Sequence, residues 1–149
     1  MKLFCFGFGQ VAQSFVDHLL NYKVNLKLIT TSRKKTSKLT FKNLEYLNYE
    51  FNENDFDKDL IDPLQESDHI LISVPPINGK DMFIKRFVKN SLNLPKLKWL
   101  TYLSSTSVYG NHDGAWVNED SPTNPQTLAG KNRLNVENDW LSIGTKNSL

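Results

Sequence analysis

Apolar positions along this chain keep two alternating rhythms. Lys2 to Phe6 is a short apolar run that stops at a glycine, and beyond it Val11, Phe15 and Leu19 recur at i, i+4 and i+8 beside Ala12, Val16 and Leu20. That pattern predicts a strand, a tight turn and an amphipathic helix. NLKLITTS predicts a second strand ending in polar residues, and NLEYLNYEF, with Leu47, Tyr49 and Phe51 alternating, predicts a third. The basic segment RKKTSKLTFK between them reads as a loop. In FDKDLIDPLQESD a short helix or turn is interrupted by Pro63, whose missing amide argues against a long helix. HILISVPP then reads as a buried parallel strand stopped by two prolines. Phe83 and Phe87, with Ile84 and Val88, set a helical spacing in KDMFIKRFVKNSLNL, and KWLTYLSST returns to strand. From Thr127 to Leu141 the spacing is helical again through Leu134, Val136, Trp140 and Leu141. Alternation of this kind is not closed by hairpins. It predicts an α/β fold, a doubly wound parallel sheet with right-handed crossovers and helices on both faces.

Composition narrows the class. At 149 residues the chain suits one domain over residues 1–149, burying roughly two thirds of its unfolded surface. Hydrophobic residues at 39% and charged residues at 23% are ordinary for a soluble globular protein, and a formal charge of +2 implies no nucleic-acid partner. The basic balance is local, from Arg33 to Lys42, and reads either as a solvated loop or as a phosphate contact. Cys5 is the one cysteine, so neither a disulfide framework nor a cysteine-rich metal site is expected, and a reducing cytoplasm suits it. His18, His69 and His112 lack metal-ligand spacing, and no metal is expected. No stretch approaches the about 20 apolar residues of a membrane helix, and no secretory leader is read at the start; no membrane partner is expected.

FGFGQVA places Gly7, Gly9 and Ala12 in the spacing G-x-G-x-x-A between the first strand and the first helix. In that context the first glycine permits the tight turn, the second lets a pyrophosphate approach the backbone, and the small third residue lets helix and strand pack closely. The free amides and helix dipole at Gln10 and Val11 favour an anion, so a dinucleotide cofactor is expected here. A fold of this kind specific for NAD usually ends its second strand with an acid for the ribose hydroxyl, whereas this chain has TTSRKK. Thr31, Ser32 and Arg33 suit a 2′-phosphate, so NADP(H) is expected over NAD(H); otherwise Arg33 only begins a solvated loop. SVPP ends the fourth predicted strand at the switch point of the sheet, where Val74 and Pro75 are expected to meet the cofactor, unless the prolines merely end the strand.

Together FGFGQVA, ILISVPP, YLSSTSVYGNHDGAWVNEDSPTNP and GKNRLNVENDW resemble the extended and atypical short-chain dehydrogenase/reductase proteins. This is the NAD(P)-dependent sugar-nucleotide epimerase/dehydratase family, and the nearest likeness is to its bacterial YeeZ-type branch. The resemblance covers nearly the whole chain and implies a Rossmann-type sheet. It matches Ser105 to the family's substrate-orienting Ser/Thr, Lys131 to the lysine of its Tyr-x-x-x-Lys motif, and Ser104 to a position near the cofactor. Thr127 stands where the family has its proton-transfer tyrosine. A threonine hydroxyl is far too weak an acid for that duty. Tyr109 is either a substitute phenol or a packing residue, and Lys131 either a cofactor contact or a solvated lysine. The resemblance also implies a chain truncated before the substrate domain, a sugar-nucleotide-like substrate and, by analogy alone, a homodimer. Three readings stay open: an NADP-dependent oxidoreductase or epimerase, a non-catalytic dinucleotide-binding or redox-sensing module, and an inactive remnant.

Overall fold

The structure, a computed structural model, describes residues 1–147. It forms two compact units, one from Met1–Val74 with Ser91–Thr101 and one from Pro75–Asn90 with the chain from Tyr102 onward.

The sheet is built from six strands: β1 (Lys2–Phe6), β2 (Lys27–Ser32), β3 (Ser37–Phe41), β4 (Leu44–Glu50), β5 (His69–Ile72) and β6 (Trp99–Tyr102). Their order across the sheet is β3-β4-β2-β1-β5-β6. β1 pairs in parallel with β2 on one side and β5 on the other, and β2 pairs in parallel with β4. The predicted doubly wound α/β sheet is therefore present. Leu3, Phe4, Cys5 and Phe6 have no exposed surface, and Ile70, Leu71 and Ile72 are buried beside them. A strand covered on both faces has no reason to alternate, which is why both segments read as continuous apolar runs.

The basic segment is not a plain loop. Residues Ser37–Phe41 run antiparallel to β4, with Phe41 opposite Leu44 across the two-residue turn of Lys42 and Asn43. A hairpin thus closes one edge of the sheet where a loop was expected. Lysines dominate the segment, but Leu39 and Phe41 alternate with Lys38 and Thr40, the period of a strand with one apolar face.

The helical elements are α1 (Gln10–Asn21), α2 (Ile61–Gln65) and α3 (Leu128–Asn147). α1 buries Ala12 and Val16, two of the periodic positions. Pro63 does not interrupt α2: it sits in the first turn, where a missing amide costs no helical bond, and a 3-10 turn at Lys58–Leu60 leads into it. The helix expected after β5 is shorter than its spacing suggested and widens into a π turn over Ile84–Val88, with the Lys89 amide bonded to the Ile84 carbonyl. Among the described residues no helix is long and apolar enough to cross a membrane.

Candidate functional site

In the first unit, the turn between β1 and α1 is held from both sides. Gly7 has φ +84, which glycine adopts freely, and a Cβ there would lie 2.9 Å from Ser73 Oγ and 3.0 Å from Val74 Cγ1. The Gly7 amide donates to Thr31 Oγ1 at 3.1 Å. Just after β5, the amides of Ser73 and Val74 donate to the Phe6 carbonyl at 2.9 and 3.1 Å. Residue 7 is thus fixed as glycine twice over, by backbone conformation and by lack of space. Ala12 is fully buried, as the close approach of helix and strand requires.

Gly9 is different. It is the residue before α1, its backbone is extended, and a Cβ built on it would meet nothing within 4 Å. No side chain caps the helix and no acid stands in its first turn. The first amides of a helix have no partner within it, so those of Gln10 and Val11 are available, and Val11 keeps 63% of its surface exposed. An uncapped, acid-free helix N-terminus with open space at its threshold suits an anion. Phe8, between the two glycines, packs its ring on Phe41 and Tyr46 of the hairpin, each at 5.3 Å.

At the end of β2 the roles divide. Thr31 is fully buried and its hydroxyl holds the Gly7 amide, so it is a buttress of the turn rather than the phosphate ligand expected. Ser32 Oγ accepts from Asn48 Nδ2 at 3.0 Å and from the Lys34 amide at 3.2 Å. Arg33 is exposed, and among the described residues its guanidinium has no hydrogen-bond or ion-pair partner. Val74 is half-buried against Gly7.

The second unit carries the remaining predicted residues, with Pro75 exposed at its start. Ser105 begins a 3-10 turn over Thr106–Val108, and its Oγ accepts from the Ser107 amide at 3.3 Å and the Ser107 hydroxyl at 3.0 Å. The Ser107 amide thus fixes the orientation of the Ser105 hydroxyl, and the two hydroxyls share a proton position between them. Ser104 Oγ is buried and has no hydrogen-bond partner among the described residues. Such an orphan is costly unless a further group meets it. Thr127 Oγ1 accepts from the Gly130 amide at 3.0 Å, the bond of a helix N-cap to the third residue of α3. Lys131 is exposed, and its amide bonds the Thr127 carbonyl at 3.0 Å. A Cβ on Gly130 would lie 2.5 Å from the Ser107 carbonyl oxygen, so the start of α3 sits directly on the turn that begins at Ser105. Ser105, Ser107, Thr127 and Lys131 are thereby gathered into one region.

Two anchors of this region escaped the sequence reading. Arg133 Nη1 donates to the Leu103 carbonyl at 2.7 Å and to the Tyr102 hydroxyl at 3.2 Å, holding the backbone just before Ser104. Asp81 is buried and accepts from the amides of Phe83 and Ile84 at 2.6 and 3.1 Å and from Trp140 Nε1 at 3.2 Å. Burial raises its carboxyl above the ordinary range, against the lowering effect of these donors and Arg133. Tyr102 is likewise raised, mainly by burial, against the lowering effect of Arg133. Tyr109 packs against His112, whose Nε2 bonds the Tyr109 carbonyl at 3.1 Å.

Neither a protein-family model nor a curated protein sequence matches the chain. Solved structures do share its fold. A functionally unknown conserved protein from Silicibacter pomeroyi is 26% identical with a TM-score of 0.71, over 95% of this chain and 49% of that one. The UDP-N-acetylglucosamine 4-epimerase of Bacillus cereus is 21% identical with a TM-score of 0.67, over 100% of this chain and 55% of that one. The dTDP-glucose 4,6-dehydratase of Bacillus anthracis, solved in complex with NAD, is 16% identical with a TM-score of 0.71, over 100% of this chain and 52% of that one. The chain spans about half the length of these proteins.

Proposed function

We propose that this chain binds a nicotinamide dinucleotide, with the pyrophosphate at Gly7, Gly9, Gln10 and Val11. The observation that carries the reading is the pair of glycines: Gly7 wedged at φ +84 against Ser73 and Val74, and Gly9 open before an uncapped helix. The NAD complex of the similar dehydratase supports the class of ligand. NADP(H) is preferred over NAD(H), since the end of β2 carries no acid and offers the unpartnered guanidinium of Arg33 beside Ser32. Val74 and Pro75 by their switch-point position, and Ser104 by the resemblance, are the further candidate cofactor contacts, and the Ser104 hydroxyl is buried without a hydrogen-bond partner among the described residues.

Titration calorimetry with NADPH and NADH tests this. The expected result is tighter NADPH binding, with Arg33→Ala losing that preference and keeping NADH affinity. Absence of binding by either dinucleotide overturns the reading, and equal affinity overturns the NADP preference alone.

The bound nicotinamide would supply hydride transfer, and the chain would act as a short-chain dehydrogenase/reductase-like oxidoreductase or epimerase on a sugar nucleotide. Ser105, held by the Ser107 amide, would hold an oxygen of the substrate, and Lys131 would contact the cofactor ribose. The epimerase and dehydratase of like fold act on UDP- and dTDP-sugars, which supports that substrate class. A second reading, a dinucleotide-binding module without turnover, is favoured by Thr127, whose hydroxyl is engaged as a helix cap and supplies no acid. Turnover separates the two: NADPH consumed with a keto-sugar nucleotide, NADPH formed from NADP+ with UDP-glucose, or UDP-glucose converted to its epimer, which leaves no net absorbance change, supports the enzyme, and binding with none of the three leaves the module.

A further inference from the structure

β3, where the sequence pattern gives only a loop, pairs with the expected strand β4 into a hairpin, and that hairpin reaches back to the glycine turn. Phe8, the residue between Gly7 and Gly9, sets its ring edge-on against Phe41 at 5.3 Å and tilted against Tyr46 at 5.3 Å. Phe41 ends β3 and Tyr46 lies in β4, so both strands of the hairpin hold one residue of the turn. Lys42, in the hairpin turn at φ +53, forms an ion pair with Asp17 of α1. The Phe8 carbonyl accepts from Gln13 Nε2 at 2.9 Å, which ties the same residue to the helix.

A Gly-x-Gly segment left to itself is among the most mobile a chain can contain, because glycine loses more freedom on ordering than any other residue. A ligand that needs the amides beyond Gly9 in fixed positions must otherwise supply that ordering from its own binding energy. The anchored ring between the glycines removes the cost in advance. The hairpin begins four residues after Arg33, in the same continuous segment.

We infer that the β3–β4 hairpin is a positioning element for the dinucleotide: Phe41 and Tyr46, by gripping Phe8, hold the glycine turn in its binding form. Neither residue needs to touch the ligand. The inference rests on the dinucleotide reading above and names the device that sets its affinity.

The test is titration of the full chain and of Phe41→Ala, Tyr46→Ala and Tyr46→Phe with NADPH and with NADH, each variant checked by circular dichroism. Aromatic contacts of this kind correspond to about two- to twelvefold in an equilibrium constant. Phe41→Ala and Tyr46→Ala are expected to weaken NADPH and NADH by the same factor, about tenfold, because the pyrophosphate turn is common to both; Tyr46→Phe, which keeps the ring, retains the original affinity. Arg33→Ala, in contrast, loses NADPH affinity only. If Phe41→Ala fails to fold, Phe41→Leu keeps the apolar bulk without the ring and carries the same expectation. Folded variants that bind both dinucleotides as tightly as the parent overturn the inference and leave the dinucleotide reading standing. A parent chain that binds neither overturns the dinucleotide reading, and the inference with it.

Discussion

Gly130 and Ser107 are in backbone contact: the carbonyl oxygen of Ser107 occupies a point 2.5 Å from where a Cβ on Gly130 would stand. Real Cβ atoms do not approach a carbonyl oxygen so closely, and that atom belongs to backbone held by the 3-10 turn. In an exposed helix, replacing glycine with alanine stabilises by about 1 kcal/mol. Here the sign reverses. Gly130→Ala is expected to destabilise by about 1–3 kcal/mol through overpacking, read as a lower urea midpoint with the slope unchanged. A variant more stable than the parent would refute the contact.

Thr127 is expected to behave as a cap and nothing more. Thr127→Ala removes the acceptor for the Gly130 amide and should cost about 1 kcal/mol, whereas Thr127→Ser keeps it and should cost little. Thermal unfolding of the two variants makes the comparison. Equal loss in both would mean the hydroxyl is not what matters.

Asp81 and Asp68 change stability with pH in opposite senses, one above the ordinary aspartate value and one below it. Burial raises Asp81, so the folded state binds its proton more readily than the unfolded chain, and its contribution to stability falls as pH rises through the window above the ordinary aspartate value. Asp68 is lowered, first by the Lys2 amide at 2.8 Å and also by Lys98, so its contribution is present above that value and is lost as pH falls below it. Urea unfolding between about pH 3 and 7 is therefore expected to lose its fall in stability above the ordinary aspartate value when Asp81→Asn removes the raised carboxyl, while the loss of stability below that value, which belongs to Asp68, remains. Trp140, bonded to Asp81, supplies a fluorescence signal for that titration. An unchanged profile in Asp81→Asn would contradict the raised carboxyl.

Cys5 lies in the central strand with no exposed surface, and burial pushes its thiol up to about 12. The thiolate is the reactive form, so a thiol reagent at about pH 8 is expected to modify the folded chain only as fast as it opens. Labelling followed across urea concentration should track global unfolding. Rapid modification of the native protein would show that β1 is not at the centre of the sheet.

How much of this could be read from sequence differs residue by residue. Gly7 was legible because positive φ and a filled neighbourhood both demand glycine, and that demand leaves a fixed spacing from the strand behind it. β1 and β5 were legible because burial on both faces writes an unbroken apolar run. β3 was not, since its lysines and exposed face resemble a solvated loop more than a strand. Thr127 was read by the motif slot it occupies, although a threonine at the threshold of a helical run is itself a capping signal. The sequence places Thr31 at the ligand end of its strand because strand direction is visible there, whereas the partner of its hydroxyl, Gly7, lies on another strand's turn. The Asp81–Trp140 bond joins residues 59 apart and has no local signature.

The hairpin also bears on the order in which the chain assembles. Phe41 meets Leu44 across two residues, while Phe6 must wait for Ile72 to be brought round by a crossover. Hairpins close in about 1–10 μs, far ahead of pairings that require long loops. Loop length alone therefore favours the Phe41–Leu44 pairing over the β1–β5 pairing as the earlier event, and a hairpin formed first offers Phe8 the rings of Phe41 and Tyr46 to settle on.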